Sequence, residues 1–78
     1  MAQPPMILDL IGLKCPLPTL RARKALLALP AGAALEVRAS DPLAAVDIPN
    51  LARELGDLIV RQGMNGGVWT FVIERGER

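Results

Sequence analysis

A chain of 78 residues with a net charge of +1, one cysteine and no histidine has little catalytic chemistry open to it. Internal disulfides, Cys-x-x-Cys redox pairs and cysteine zinc clusters need a second thiol. Cys–His and Ser–His–Asp catalysis and conventional metal sites need an imidazole, so no metal and no cofactor are expected. The length implies one small domain over residues 1–78, and with 51% hydrophobic but only 3% aromatic residues its core must be aliphatic.

Met1–Met6 lacks the basic start and apolar run of a secretory signal, and Pro4-Pro5 predicts a frayed tail over residues 1–5. No apolar run approaches the ~18 residues of a membrane span. A reducing, cytoplasmic setting suits a free thiol. Met6–Ile11 reads as a first strand, ended by Gly12, with Asp9 facing outward. Pro16–Leu29 reads as a helix that Pro30-Ala31-Gly32 ends. Pro18, Ala22, Ala25, Leu26 and Leu29 fall on its core face, and Leu17, Leu20, Arg21, Lys24 and Leu27 lie around the other side.

Leu35–Ala39 alternates as a second strand with Leu35, Val37 and Ala39 inward. Ser40-Asp41-Pro42 reads as a turn. Asp47 then reads as the N-cap of a second helix opened by Ile48-Pro49, with Ile48, Leu51, Ala52 and Leu55 buried and Gly56 closing it. Asp41 and Asp47 are thus assigned to capping. Leu58–Gln62 reads as a third strand, Gly63–Gly67 as a hairpin loop and Val68–Arg75 as a fourth strand, with Trp69, Phe71 and Ile73 inward and Thr70 and Glu74 outward. The order is βαβαββ. It predicts a two-layer α/β sandwich, two helices covering one face of a four-stranded mixed sheet.

The stretch that stands out is Gly12-Leu13-Lys14-Cys15-Pro16-Leu17-Pro18. Pro16 drives Cys15 toward extended angles and suits a first helical position, so Cys15 falls at the N-cap. Lone cysteines are most often small buried hydrophobes. Here Gly12, Lys14 and the helix start argue for partial exposure, and the helix end and Lys14 would favour a thiolate. Pro16 and Pro18 cannot donate, which leaves the Leu17 N–H to meet the sulfur, so only a modest lowering of the thiol pKa is expected. Leu10–Leu35 contains Lys14, Arg21, Arg23 and Lys24 and no acid, a charge of +4, leaving −3 for the rest. That basic segment is either a solvated helix face or a docking surface.

These residues resemble the TusA/SirA-like family of small sulfur-carrier proteins, marked by Cys-Pro-x-Pro after a first strand. Leu8–Pro18 is similar to the family's opening, Arg23-Lys24 to its helical Arg-Lys pair, Asp41-Pro42 and Asp47-Ile48-Pro49 to its central loop, and Phe71–Gly76 to its last strand. Asp57 stands where many relatives have histidine, and Leu17 where some have glutamate. The resemblance implies that Cys15 accepts sulfane sulfur as a persulfide from a cysteine desulfurase or rhodanese-like donor. A downstream acceptor would then take it, for tRNA thiolation, molybdenum-cofactor work or sulfur oxidation. Such a protein is a monomeric sulfurtransferase-type carrier, not a stand-alone catalyst, with no nucleic acid and no membrane as partner. Lys14, Pro16, Leu17, Pro18, Leu20, Arg21, Arg23 and Lys24 are the expected partner-docking surface. Two rival readings remain: a protein-binding or regulatory module without sulfur chemistry, and an RNA-binding domain, the latter opposed by the low net charge and aromatics placed inward.

Overall fold

The computed structural model describes residues 4–77, so the first three residues of the expected N-terminal tail lie outside the described ones. The elements are β1 (Met6–Leu10), α1 (Leu17–Ala28), β2 (Ala34–Ala39), α2 (Ala44–Leu55), β3 (Leu58–Asn65) and β4 (Val68–Glu74). They form one four-stranded sheet in the order β1-β2-β4-β3. β1 runs parallel to β2, and β4 is antiparallel to both β2 and β3, so the sheet is mixed. Both helices cover the face that carries Leu10, Leu35, Val37, Phe71 and Ile73, and Ala22, Leu26, Ile48, Leu51 and Ala52 close the core from above. The expected βαβαββ sandwich is the one observed.

The other sheet face mixes apolar and charged residues. In the registered row Ile7, Glu36, Val72 and Arg61, the Glu36 carboxylate pairs with Arg38 at 2.6 Å and Arg61 at 3.8 Å. Among the described residues no helix is long and apolar enough to cross a membrane.

Several boundaries differ from the sequence reading, and the larger differences are these. α1 begins at Leu17 with Pro16 as its cap residue, which puts Cys15 one position ahead of the N-cap. α2 begins at Ala44, so Asp47 sits inside its first turn and Pro49 within the helix. Asp41-Pro42 carries the same acid-then-proline signature as Asp47-Ile48-Pro49 but comes earlier, and it starts the winding. Asp41 Oδ1 accepts the Leu43 N–H at 3.1 Å, and Asp41 O accepts the Ala44 N–H at 2.9 Å.

β3 extends to Asn65, and a register shift between Ile59 and Arg61 absorbs Val60 on this edge strand. The expected five-residue loop shrinks to a two-residue turn. Gly66 and Gly67 both have positive φ, 59° and 80°, a region that glycine enters without steric cost.

Asp57 is buried at the α2–β3 junction, where its Oδ1 accepts the Gly76 N–H at 2.8 Å. A Cβ on Gly76 would collide with the Gly56 carbonyl, so the end of the chain is held by close backbone approach and by this bond. Asp57 therefore anchors the segment after β4. Asp57→Ala should lower the unfolding free energy by about 1–3 kcal/mol, the cost of leaving a buried donor unmatched. Urea unfolding checks this, and a loss under about 0.5 kcal/mol would show the bond to be idle.

Candidate functional site

β1 and β2 are parallel neighbours with Leu10 opposite Ala39, so the segments that follow them leave the sheet at the same end. Ligand sites in open α/β sheets form at that carboxyl end. The Cys15 loop follows β1. The Ser40-Asp41-Pro42 segment follows β2 and stitches the loop in place. Gly12 turns with φ at 87° and donates its N–H to Ser40 Oγ at 2.8 Å. Cys15 donates its N–H to Asp41 Oδ2 at 2.6 Å. Asp9 is exposed, as expected of an outward strand residue, and its Oδ1 receives the Ile11 N–H at 3.0 Å where the strand ends.

Cys15 is a free and exposed thiol on a loop whose backbone is bonded to the segment between β2 and α2. The Cys15–Pro16 peptide is cis. The thiol sits between two shallow grooves. One lies between the helices and is lined by Thr19, Arg23, Asp47, Asn50 and Glu54. The other is bounded by Leu13, Lys14, Asp41 and Leu43. Sγ lies 3.8 Å from Asp47 Oδ2, within reach for the S–H to donate to that carboxylate.

The expected activation of the thiol is reversed. Partial desolvation, then the negative charge of Asp47 and of Asp41 and the bond to Asp47, push the Cys15 thiol above its ordinary value. The helix start does not offset this. The Leu17 N–H, expected to meet the sulfur, donates instead to the Lys14 carbonyl at 2.9 Å, and Pro16 and Pro18 have no N–H to offer.

The sequence-derived docking residues divide between two surfaces. Lys14, Pro16, Leu17, Leu20, Arg21 and Lys24 are exposed. Arg21 and Lys24 border a shallow depression floored by Leu8, Ala25 and Ala28. Pro18 is buried and belongs to the core face of α1. Arg23 turns to the interhelical groove, where its guanidinium pairs with Glu54 at 2.8 Å. Asp41 and Asp47, assigned to capping by sequence, are the acids nearest the sulfur. The signal that could have placed them there is the β-α-β order itself. A parallel β1–β2 pair brings the residues after both strands together. Among the described residues no group of three or more acidic, cysteine or histidine side chains could hold a metal ion.

Comparison with known proteins agrees with this layout. The family described as Sulfurtransferase TusA matches residues 6–75. Sulfur carrier protein TusA of Allochromatium vinosum is 40% identical over 68 residues, covering 87% of this chain and 90% of that protein. Sulfur carrier protein TusA of Pseudomonas putida is 35% identical over 72 residues, covering 92% and 90%. The crystal structure of a SirA-like protein from Desulfitobacterium hafniense superposes with a TM-score of 0.80 at 28% identity, covering 92% of this chain and 99% of that one.

The acid shell makes a direct prediction. The alkylation rate of Cys15 by iodoacetamide should rise with pH with a midpoint above the ordinary cysteine value of about 8.5, because the carboxylates penalise the thiolate. A midpoint below that value would show that the helix start, not the acids, controls the sulfur.

Proposed function

Because this chain belongs to the TusA sulfurtransferase family, whose curated relatives include sulfur carrier proteins, we propose that it relays sulfane sulfur as a persulfide on Cys15. The observation that carries this reading is a lone exposed thiol, tied through its own backbone amide to Asp41 after β2 and open to solvent on two sides. A carrier must offer one sulfur to successive partners and must lack a second thiol, which would attack the persulfide and release its sulfur.

Loading is an exchange without net redox change. The Cys15 sulfur attacks the outer sulfur of a donor persulfide, and the donor's cysteine leaves with the electron pair of the broken S–S bond. The Cys15 proton passes by way of Asp47 or solvent to the departing thiolate, and the carrier holds Cys15–S–SH. Discharge repeats the exchange with an acceptor nucleophile attacking the outer sulfur and Cys15 leaving. A thiol of raised pKa is a poor leaving group, so the loaded carrier resists discharge to small thiols and keeps its sulfur for a docked partner.

A cysteine desulfurase or rhodanese-like protein fits the donor role, in the reducing cytoplasm, with tRNA thiolation, molybdenum-cofactor assembly or sulfur oxidation as outlets. The exposed face of α1 supports docking. Leu17, Leu20 and Leu27 form an apolar centre with Lys14, Arg21 and Lys24 around it, an arrangement suited to a transient contact with an acidic partner. RNA binding is not favoured, since Phe71 is buried and Trp69 packs against the core, leaving no ring displayed for stacking.

Incubation with a desulfurase and cysteine should add one sulfur atom to the intact mass of the protein, and Cys15→Ser should fold normally and gain none. Equal loading of the Ser variant would end the persulfide reading. Reversal of Arg21 and Lys24 to Glu should weaken binding to the desulfurase about tenfold at low salt and flatten its salt dependence, each rim charge contributing no more than about 1 kcal/mol. Arg23 is left in place because of its pairing with Glu54. Unchanged affinity and salt slope would return this face of α1 to plain solvation.

A further inference from the structure

The two carboxylates beside Cys15 are not equivalent. Asp41 is spent on backbone, with Oδ2 on the Cys15 amide and Oδ1 on the Leu43 amide. Asp47 is half-buried, and among the described residues it receives no backbone N–H and joins no ion pair. Its hydrogen-bonding contact is the Cys15 sulfur at 3.8 Å. Among the described residues the groove is lined by one cation, Arg23, and Glu54 engages it at 2.8 Å farther along the two helices. Lys14 borders Cys15 on the loop side, exposed and in no ion pair among the described residues. Cys15 thus faces Asp47 from α2, Asp41 from the segment after β2 and Lys14 from its own loop. Among the described residues no cation pairs with Asp47.

We propose that Asp47 is a specificity-determining residue of the carrier, which favours partners that bring a lysine or arginine side chain into the groove mouth beside Cys15. This rests on the carrier reading for its purpose. Transfer places negative charge on the Cys15 sulfur, as thiolate or as persulfide anion, a few ångströms from a carboxylate that joins no ion pair among the described residues. A partner with an acidic or neutral group at that point leaves the two charges facing each other. A partner cation pairs with Asp47 and removes the penalty at the moment of contact, so the sulfur becomes reactive where it is docked and stays quiet elsewhere. The requirement is local to the groove. It is compatible with an otherwise acidic partner meeting the basic rim of α1.

Two methanethiosulfonates of the same chemistry test it, one carrying a trimethylammonioethyl group and one a sulfonatoethyl group. In each reaction the Cys15 sulfur attacks the sulfenyl sulfur, methanesulfinate leaves with the bonding pair, and the thiol proton goes to buffer. The ratio of cationic to anionic rates is normalised to that of N-acetylcysteine methylamide. At low salt the wild-type protein should prefer the cation. Asp47→Asn should lower the ratio about fivefold, the order expected for one lost charge at this range under near-aqueous screening. Asp47→Glu should keep the preference. Rising salt should bring wild type toward the Asn value, a reading that needs no variant to fold. A wild-type preference for the anion, or a ratio that Asp47→Asn or salt leaves unchanged, overturns the proposal. Failed sulfur loading with an intact charge ratio would sink the carrier reading alone; normal loading with a charge-blind ratio would sink this inference alone.

Discussion

One carboxylate, that of Asp41, joins the parts on which the site depends. Its two oxygens accept amides from segments distant in the chain, Cys15 ahead of α1 and Leu43 ahead of α2. A carboxylate bonded to two backbone N–H groups is worth more than its count of bonds, because each is charge-assisted and removal would leave two amides unmatched at once. The same group starts α2 and pins the Cys15 loop. The position of the sulfur and the beginning of the second helix are therefore one structural decision. Ser40 adds a second stitch, through Gly12, one residue earlier on β2's exit and three residues earlier on β1's exit.

That stitch has an electrostatic consequence. Acids that hold the loop by its backbone also surround the sulfur with negative charge. The structure resolves the tension by giving Asp41 to the amides and leaving Asp47 to face the thiol. For an enzyme whose cysteine must attack unaided, such surroundings would be a handicap. For a carrier they suit the role, since a thiol pushed above its ordinary pKa reacts less readily with small molecules.

The division of labour on α1 follows from its packing. Pro18, Ala22 and Leu26 are buried against the sheet, which turns Leu20, Arg21, Lys24 and Leu27 to solvent and Thr19 and Arg23 toward α2. Ala22 is buried in the core and Ala25 packs against it. The Arg23–Glu54 pair spans the two helices across the groove, and at that exposure its charge contributes little to stability. Its larger effect is to occupy a cation that would otherwise be free in the groove.

Much of this protein was legible from its residues alone. Periodicity of two in Leu35–Ala39 and near four in residues 18–29 placed the strand and the helix faces, because burial of an apolar stripe is dictated by backbone geometry whatever the partner. The lone cysteine, its exposure and the βαβαββ order followed from the same local reasoning. The helix starts did not. Asp41-Pro42 and Asp47-Ile48-Pro49 carry equivalent signatures, and winding begins at the earlier one, where Asp41 holds the Leu43 and Ala44 amides and Ala44 docks into the core. The extent of β3 was likewise set by pairing with β4, not by its own residues, since Gly63 and Asn65 are poor strand formers held by a neighbour.

The chemical character of the sulfur lay furthest from the sequence. Within its own stretch Cys15 has Lys14 beside it and a helix ahead, features that in general lower a thiol pKa. Across the fold it has Asp41 and Asp47, 26 and 32 residues away, and both raise it. Local sequence determined which atom would do the chemistry. Tertiary structure decided its reactivity, because electrostatic energy depends on distance through space, and the parallel pairing of β1 with β2 brings those acids to the sulfur.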